Sequence, residues 1–423
     1  PCARSHSHLS SRMGKGGRGS ASEATADDEF FVHIHGKKID CRKWSRSHPG
    51  GSKALRIFKD RDATEQFDMY HSPAAIKTLE LMSKSAPDAT AAESAVSTSV
   101  LGVGFEALRQ RLVAEGCFEP NYPDEAFKLV LTLGPGFLGA RLLHSGMPAL
   151  GALLIGFSFY LCGWTAHDYL HHGVIKGSSK RMVHWNNACG HALGMWQGYS
   201  VGWWRARHNT HHLVTNEDGN DPDIKTAPLL IYVRNNPAIA ATLNAVQRWQ
   251  QYYYVPLMSI LDAYWRFESL QYLAARPITK TWPDWCMMGV HYAVLLWVFS
   301  GQMAWLPFMT LCRGFMTGIV VFATHYGEDI LDGGNHGMTL VEQTALTSRN
   351  ITGGHVMNVL TGYISLQTEH HLFPMMPTAN LDKAQPLVRA FFKEYGLLYR
   401  ESNLVECVKY NIKALEFSHL LQH

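Results

Sequence analysis

The side chains best placed to do chemistry are histidines in three short runs: HDYLHH at residues 167–172, HNTHH at 208–212 and QTEHH at 367–371. On a helix, His167 and His171 lie four apart, His208 precedes His211 and His212 by three and four, and Gln367 precedes His370 and His371 by three and four. Each set therefore shares one helical face. Imidazole is a good ligand for iron, copper and zinc, and several such sets imply more than one metal ion. Histidine is abundant, at 23 of 423 residues, yet an HxxHH pattern arises by chance only about 0.07 times in a chain of this composition. Three sets, each after a hydrophobic segment, read as metal ligands and not as scattered surface histidines.

Hydrophobic segments must carry these runs. Residues 142–166 and 285–312 contain no Asp, Glu, Lys or Arg, and each is long enough to cross about 30 Å of hydrocarbon at about 1.5 Å per residue. Shorter apolar stretches flank them: Leu129–Ala140, interrupted by Pro135 and ended by Arg141, and Gly314–Tyr326, which follows Arg313. The simplest topology is four spans in two helical hairpins, which returns the chain to the same side and puts all three histidine runs on one face of a membrane. Between the hairpins, Asn244–Leu273 mixes Trp, Tyr and Leu with isolated Arg and Asp. That composition suits an interfacial helix, and a packed soluble helix shares it.

Bulk composition excludes other classes. A net charge of +3 with 17% charged residues and a mean hydropathy of -0.11 hides the split between apolar and polar segments, and no basic stripe marks a nucleic-acid partner. No HExxH, GxGxxG after a strand, Walker loop or GxSxG elbow occurs. The eight cysteines form no CxxC pair, which suits a reducing cytosolic face and not a disulfide framework or an iron–sulfur site. Only one Glu-x-x-His pair, Glu416 with His419, occurs, whereas soluble di-iron bundles use two.

Ahead of the membrane segments the chain divides into parts. Residues 1–29, rich in Ser, Gly, Ala and basic residues before Asp27, Asp28 and Glu29, are expected to be a disordered tail. The tail shows no apolar core of a secretory signal, Met13 opens MGKGGR without a myristoylation match because Arg18 stands sixth, and residues 1–12 read as upstream sequence or a transit fragment. Residues 30–83 read as a compact module, in which FVHIHGKKIDCRKW predicts a strand, a Gly turn and a second strand. HPGG follows at 48–51, with His71 in DATEQFDMYHS. Residues 84–100, KSAPDATAAESAVSTSV, are expected to form a flexible linker to a membrane domain at 101–423.

HPGG, the helix after it and DAT-x-x-F-x-x-x-H make the module resemble cytochrome b5 over some fifty residues. That resemblance implies His48 and His71 as the two axial ligands of one haem b. Two axial imidazoles leave the iron to shuttle single electrons, and Pro49, Gly50 and Gly51 shape the backbone beside the first ligand.

The order of parts, with GHALGMWQGYSVGWWRARHNTHH, NDPDIKTAPLL and LQTEHHLFPMMP, resembles the front-end fatty acid desaturases over residues 30 to about 400. The resemblance implies a mainly α protein: a helical integral membrane domain with about four transmembrane helices plus cytosolic and interfacial helices, and an N-terminal α+β haem domain. It further implies a di-iron centre whose ligands come from His167, His171, His172, His208, His211, His212, His370, His371 and His325 of FATHYGED. His171 and His172 compete for one role. His191 is a further candidate, as a hydrogen-bond partner to a ligand. Gln367 stands where other membrane desaturases have His, so it completes one iron's shell or orients a water or neighbouring histidine. Trp196, Tyr199, Trp203 and Trp204 are expected to wall an acyl tunnel or to form an interfacial belt.

The implied activity is insertion of a cis double bond between an existing one and the carboxyl end of a polyunsaturated fatty acyl lipid or acyl-CoA, using oxygen and electrons from NADH-cytochrome b5 reductase through the fused haem. The implied location is the endoplasmic reticulum membrane, multi-pass, with haem and histidine runs cytosolic, and the plastid envelope is the second choice. A sphingoid-base desaturase or acyl hydroxylase on the same scaffold, and a membrane-anchored electron carrier, are the alternatives. Δ4, Δ5, Δ6 and Δ8 enzymes share these runs, which leaves regioselectivity and acyl carrier open.

Overall fold

Alternating Val32 and Ile34 against Ile39 on the facing strand fold the haem module's start into a hairpin, Phe31–Ile34 paired antiparallel with Lys37–Asp40. His35 and Gly36 both take positive φ, the backbone that a two-residue reversal matching strand twist demands. The structure, a computed structural model, describes residues 30–46, 48, 50–71, 73–177, 180–226, 229–232, 246–333 and 337–420. The tail expected at 1–29, Pro49, Asn244 and the side chain of His419 lie outside these. Helices Ser52–Ile57, Thr64–Tyr70 and Pro73–Ser83 complete the module around Val32, Ile39, Phe58 and Leu79. His48 precedes the first of these helices and His71 ends the second.

Of residues 84–100, expected as a flexible linker, 84–99 run along this module. The Ala89 amide donates to the Gly36 carbonyl at 2.8 Å, Lys38 pairs with Glu93 at 2.7 Å, and Ser97 donates to Asp62 at 2.6 Å. Ser99 then caps helix Val100–Ala114, its hydroxyl accepting from the Gly102 amide at 3.0 Å.

The apolar sequence folds into long helices. Tyr122–Leu143 and Pro148–Leu170 join at His144–Met147, and Ile278–Val298 and Leu306–Ala323 join across 299–305, where Gly301 has φ 75°. The two turns meet in one cluster, Leu143, Ala152 and Ile155 with Leu295, Phe299 and Met309. Three of these segments, Tyr122–Leu143, Pro148–Leu170 and Met303–Ala323, are long and apolar enough to cross a membrane. The expected fourth segment, Ile278–Val298, is a helix of 21 residues that packs in the second hairpin and carries Lys280, Asp284 and His291. The turns also fall inside the uncharged runs and not between them, because a reversal without charge is still satisfied by its own backbone bonds. Arg313, expected to separate two segments, lies within a helix, fully buried, 3.1 Å from Asp262 and 3.0 Å from the Gln197 carbonyl. A paired cation inside the bundle does not end a span.

The stretch beyond Asn244 forms helices Gln250–Leu257 and Leu261–Ala274. Tyr254, Met258 and Leu261 face the body, while Trp249, Tyr252 and Phe267 are exposed apolar side chains.

The haem module sits directly on the membrane domain. The Glu65 carboxylate accepts from the Leu340 amide at 2.6 Å, where helix Leu340–Thr347 begins, and the Lys53 ammonium donates to the Asn220 carbonyl at 3.0 Å. Met69 joins the cluster of Phe105, Leu112 and Leu372.

Small residues bring the first hairpin together: a Cβ on Gly151 would stand 2.4 Å from the Leu143 nitrogen and 2.7 Å from the Gly139 carbonyl. Gly151→Leu is expected to force the helices apart at a cost of about 1–3 kcal/mol, read as a lower thermal midpoint of the detergent-solubilised protein; an unchanged midpoint would refute the tight crossing.

Candidate metal centre and haem pocket

Four helix ends deliver the histidines to one place. His167 lies in the last turn of Pro148–Leu170, and His171 caps it with its amide 3.0 Å from the His167 carbonyl. Val201–Leu213, capped by Ser200, carries His208, His211 and His212; Gln367–Leu372 carries Gln367, His370 and His371; His325 follows Leu306–Ala323. The ligand atoms of His167, His171, His208, His212 and His370 lie within 4.8 Å of one another, as do those of His211, His325 and His371. His212 and His371 stack at 4.1 Å and so join the two groups. The Gln367 amide Nε2 lies 2.7 Å from His325 Nε2 and 3.1 Å from His371 Nε2, in the second group.

This arrangement fits metal ions. His208 Nε2 lies 2.9, 3.1 and 2.9 Å from Nε2 of His167, His171 and His212. Hydrogens cannot satisfy four converging nitrogens, because each pair shares at most one, whereas a cation accepts every lone pair. Nδ1 of His167, His212 and His370 and Oε1 of Gln367 are buried without a partner among the described residues. Burial, then the neighbouring imidazoles, hold His208, His212, His370 and His371 well below the usual histidine range. Burial brings His171 and His325 to about 3. The rings are thus neutral at physiological pH, the form that binds metal.

Outer contacts aim these rings. His211 Nδ1 lies 2.9 Å from Asp221, which also accepts from the Asn216 amide at 2.7 Å. Burial pulls His211 down, but the Asp221 and Asp223 carboxylates outweigh it and lift it to about 9. His371 Nδ1 lies 3.1 Å from the Thr215 hydroxyl, and His325 Nδ1 donates to the Thr347 carbonyl at 2.8 Å. Glu369 points away from the histidines, accepting from Asn350 at 2.7 Å and Tyr399 at 2.5 Å. Sequence reasoning did not assign Asp221, Thr215 or Asn350 a role; the NDPD run ten residues beyond His211 was the one available signal, because carboxylates so often orient metal-binding imidazoles.

His172 is a correction. It takes φ 59°, which turns it out of the cluster, and its Nε2 lies 3.0 Å from the Asn187 amide oxygen. His191 Nδ1 bonds the Asn187 carbonyl at 2.8 Å and joins neither group.

A narrow cavity of about 70 Å³ leads from His167, His208 and His370 into the apolar body between Tyr160, Trp164 and Trp204. Of the four aromatics singled out, Trp204 and Tyr199 line it and Trp196 and Trp203 do not. Trp204 also stacks on His208 at 4.4 Å.

In the module, the His48 and His71 rings lie 5.8 Å apart beside a cavity of about 350 Å³ walled by Val32, Ile39, Phe58 and Leu79. His71 Nδ1 donates to the Phe67 carbonyl at 3.0 Å, leaving Nε2 free, while His48 Nδ1 is buried without a partner. Burial, then His48, lowers His71 to about 4. Facing neutral imidazoles and apolar walls fit a porphyrin. His171, Arg205 and Leu213 of the membrane domain close the far side of the same cavity.

A haem-type electron module seated on a histidine-rich membrane centre defines a cytochrome b5-fusion front-end acyl desaturase. The chain belongs to the fatty acid desaturase family: its model, "Fatty acid desaturase", matches residues 145–403, and "Cytochrome b5-like Heme/Steroid binding domain" matches residues 20–103. The chain is 60% identical to an acyl-lipid 8-desaturase of Rebecca salina, over 95% of each chain. A Delta(8)-fatty-acid desaturase of Euglena gracilis is 30% identical over 84% of this chain and 87% of its own, and a Delta(5) fatty acid desaturase of Caenorhabditis elegans is 28% identical over 88% and 91%. The protein is therefore an oxidoreductase of fatty acyl chains, membrane-associated, with a haem-binding electron-transfer domain.

His208→Ala is expected to lower bound metal and leave haem intact, His48→Ala to do the reverse, and His172→Ala to retain both. Metal analysis and the reduced haem spectrum on one sample check all three; a His208→Ala protein with full metal content would contradict the shared-nitrogen geometry.

Proposed function

We propose that this chain inserts a cis double bond at the Δ8 position of a lipid-linked polyunsaturated acyl chain. The observation that carries this reading is two adjoining groups of buried, converging imidazoles at the head of a narrow apolar cavity. The identity shared with the Rebecca salina acyl-lipid 8-desaturase supports the position and the lipid carrier.

In this reading His167, His171, His208, His212 and His370 hold one iron, and His211, His325 and His371 hold the second with Gln367 beside them. His48 and His71 hold one haem b. Bound iron supplies oxygen activation and bound haem supplies electrons one at a time. The protein does the positioning. Tyr160, Trp164 and Trp204 exclude water and align a methylene beside His167 and His370. Asp221 keeps the proton on His211 Nδ1 and turns Nε2 toward the second group. The Gln367 amide fixes His325 and His371, or a water between them, by hydrogen bonding.

NADH-cytochrome b5 reductase is the electron donor in this reading. The enzyme lies in the endoplasmic reticulum membrane with the haem module and histidines cytosolic, and the turns at 144–147 and 299–305 lie toward the lumen. A fluorescent fusion imaged against reticulum and plastid markers tests that location.

The activity is tested by feeding a host that expresses the protein a panel of polyunsaturated fatty acids and analysing its lipids by gas chromatography. New Δ8 bonds are expected. Bonds at Δ5 or Δ6 would overturn the position, and hydroxylated products or altered sphingoid bases would overturn the reaction. Gln367→Leu keeps size and removes the polar contacts, and it should cut product about tenfold or more at unchanged expression and haem content. Parental yield and regioselectivity in that variant would remove Gln367 from the centre.

A further inference from the structure

We propose that Tyr70 is the electron-coupling residue between the two redox sites, joining the haem ligand His71 to the metal-group histidine His212. The inference rests on the haem and iron assignments above and adds the route between them.

Tyr70 is the residue covalently next to His71, at the end of helix Thr64–Tyr70. Its ring meets the His212 ring edge to face, with centroids 6.1 Å apart. His212 belongs to the five-histidine group, with Nε2 2.9 Å from His208 and 3.0 Å from His370. One chain of covalent bonds and one ring contact therefore link the two centres. Electronic coupling falls off more slowly through bonds and packed π systems than across open space, so this route favours transfer. Tyr70 itself packs against the buried cluster of Phe105, Leu372 and Phe373 that seats the module, so docking and coupling depend on the same face.

The tyrosine hydroxyl is buried and has no hydrogen-bond partner among the described residues. With nothing to take its proton, the phenol cannot be oxidised to a neutral radical, and the ring acts as a bridge and not as a carrier. With haem held by His48 and His71 and iron held by the five-histidine group, each transfer would take one electron from ferrous haem and give it to ferric iron, so the step would balance without a proton. Tyr70 neither gains nor loses an electron or a proton. His171, which also lines the haem cavity, offers the competing route by contact with the group bound there.

The full-length protein tests this. Haem and iron are first counted in the parent; a parent lacking either would defeat the assignments beneath the proposal before any rate is measured. The haem is then flash-reduced anaerobically and its reoxidation is followed by absorbance. Tyr70→Phe, which keeps the ring, should retain the parental first-order rate. Tyr70→Leu, which keeps bulk and loses the ring, should slow it about tenfold or more, with haem content, iron content and haem midpoint potential unchanged and with residues 84–99 cleaved by protease no faster than in the parent. A Leu variant with the parental rate would overturn the proposal in favour of the His171 route. A Phe variant as slow as Leu would overturn it by giving the hydroxyl the role, and a slow Leu variant with accelerated cleavage at 84–99 would overturn it by reducing Tyr70 to a docking contact.

Discussion

Crowded, uncharged imidazole nitrogens set the terms for everything else in this protein. Nε2 atoms about 3 Å apart present lone pairs to one another, and burial disfavours the charged form of His208, His212 and His370. Each buried polar group left without a partner costs about 1–3 kcal/mol. Only a rigid frame can hold such a cluster open to metal. The frame is visible in the outer contacts: Asp221, Thr215 and the Thr347 carbonyl each fix one Nδ1, so the ring's other nitrogen points inward. Asn350 and Tyr399 hold Glu369 on the far side of its short helix, which keeps a carboxylate out of the cluster.

The long helices give that frame its leverage. Close approach at Gly139 and Gly151 and a shared apolar cluster fasten the turn ends of both hairpins, and the opposite ends deliver His167, His171 and His325. Arg313, Asp262 and Gln197 form a buried polar tie between helices where hydrophobic attraction alone would give no direction. The narrow cavity then lies inside the bundle, lined by His167, His208 and His370 together with the apolar side chains of Tyr160, Trp164 and Trp204.

A haem domain on a loose tether would find its acceptor by local concentration. Here residues 84–99 are bonded along the module, and its helix Ser52–Ile57 packs against Val201–Leu213, which carries His208, His211 and His212. The haem cavity is completed by side chains of the membrane domain, including His171. The module is thus held at a packed interface and not on a free tether.

The amino-acid sequence alone determined the spacing of the candidate ligands, because that spacing is local: residues three and four apart share a helix face whatever the tertiary fold. His208, His211, His212, His370 and His371 became candidate ligands on that ground, and HPGG with His71 pointed to a haem pair by resemblance. The hydropathy pattern likewise revealed a membrane domain but misjudged its turns, since an uncharged run does not mark where a helix reverses and Arg313 is stabilised by a partner 51 residues away. Tertiary structure decided the rest. It chose His171 over His172, because one backbone angle at the helix end turns the second ring toward Asn187. It sorted the histidines into a group of five and a group of three, and it brought Asp221, Thr215 and Tyr70 to the rings they contact. Those pairings join residues distant along the chain, and they exist only once packing has fixed which helix ends meet.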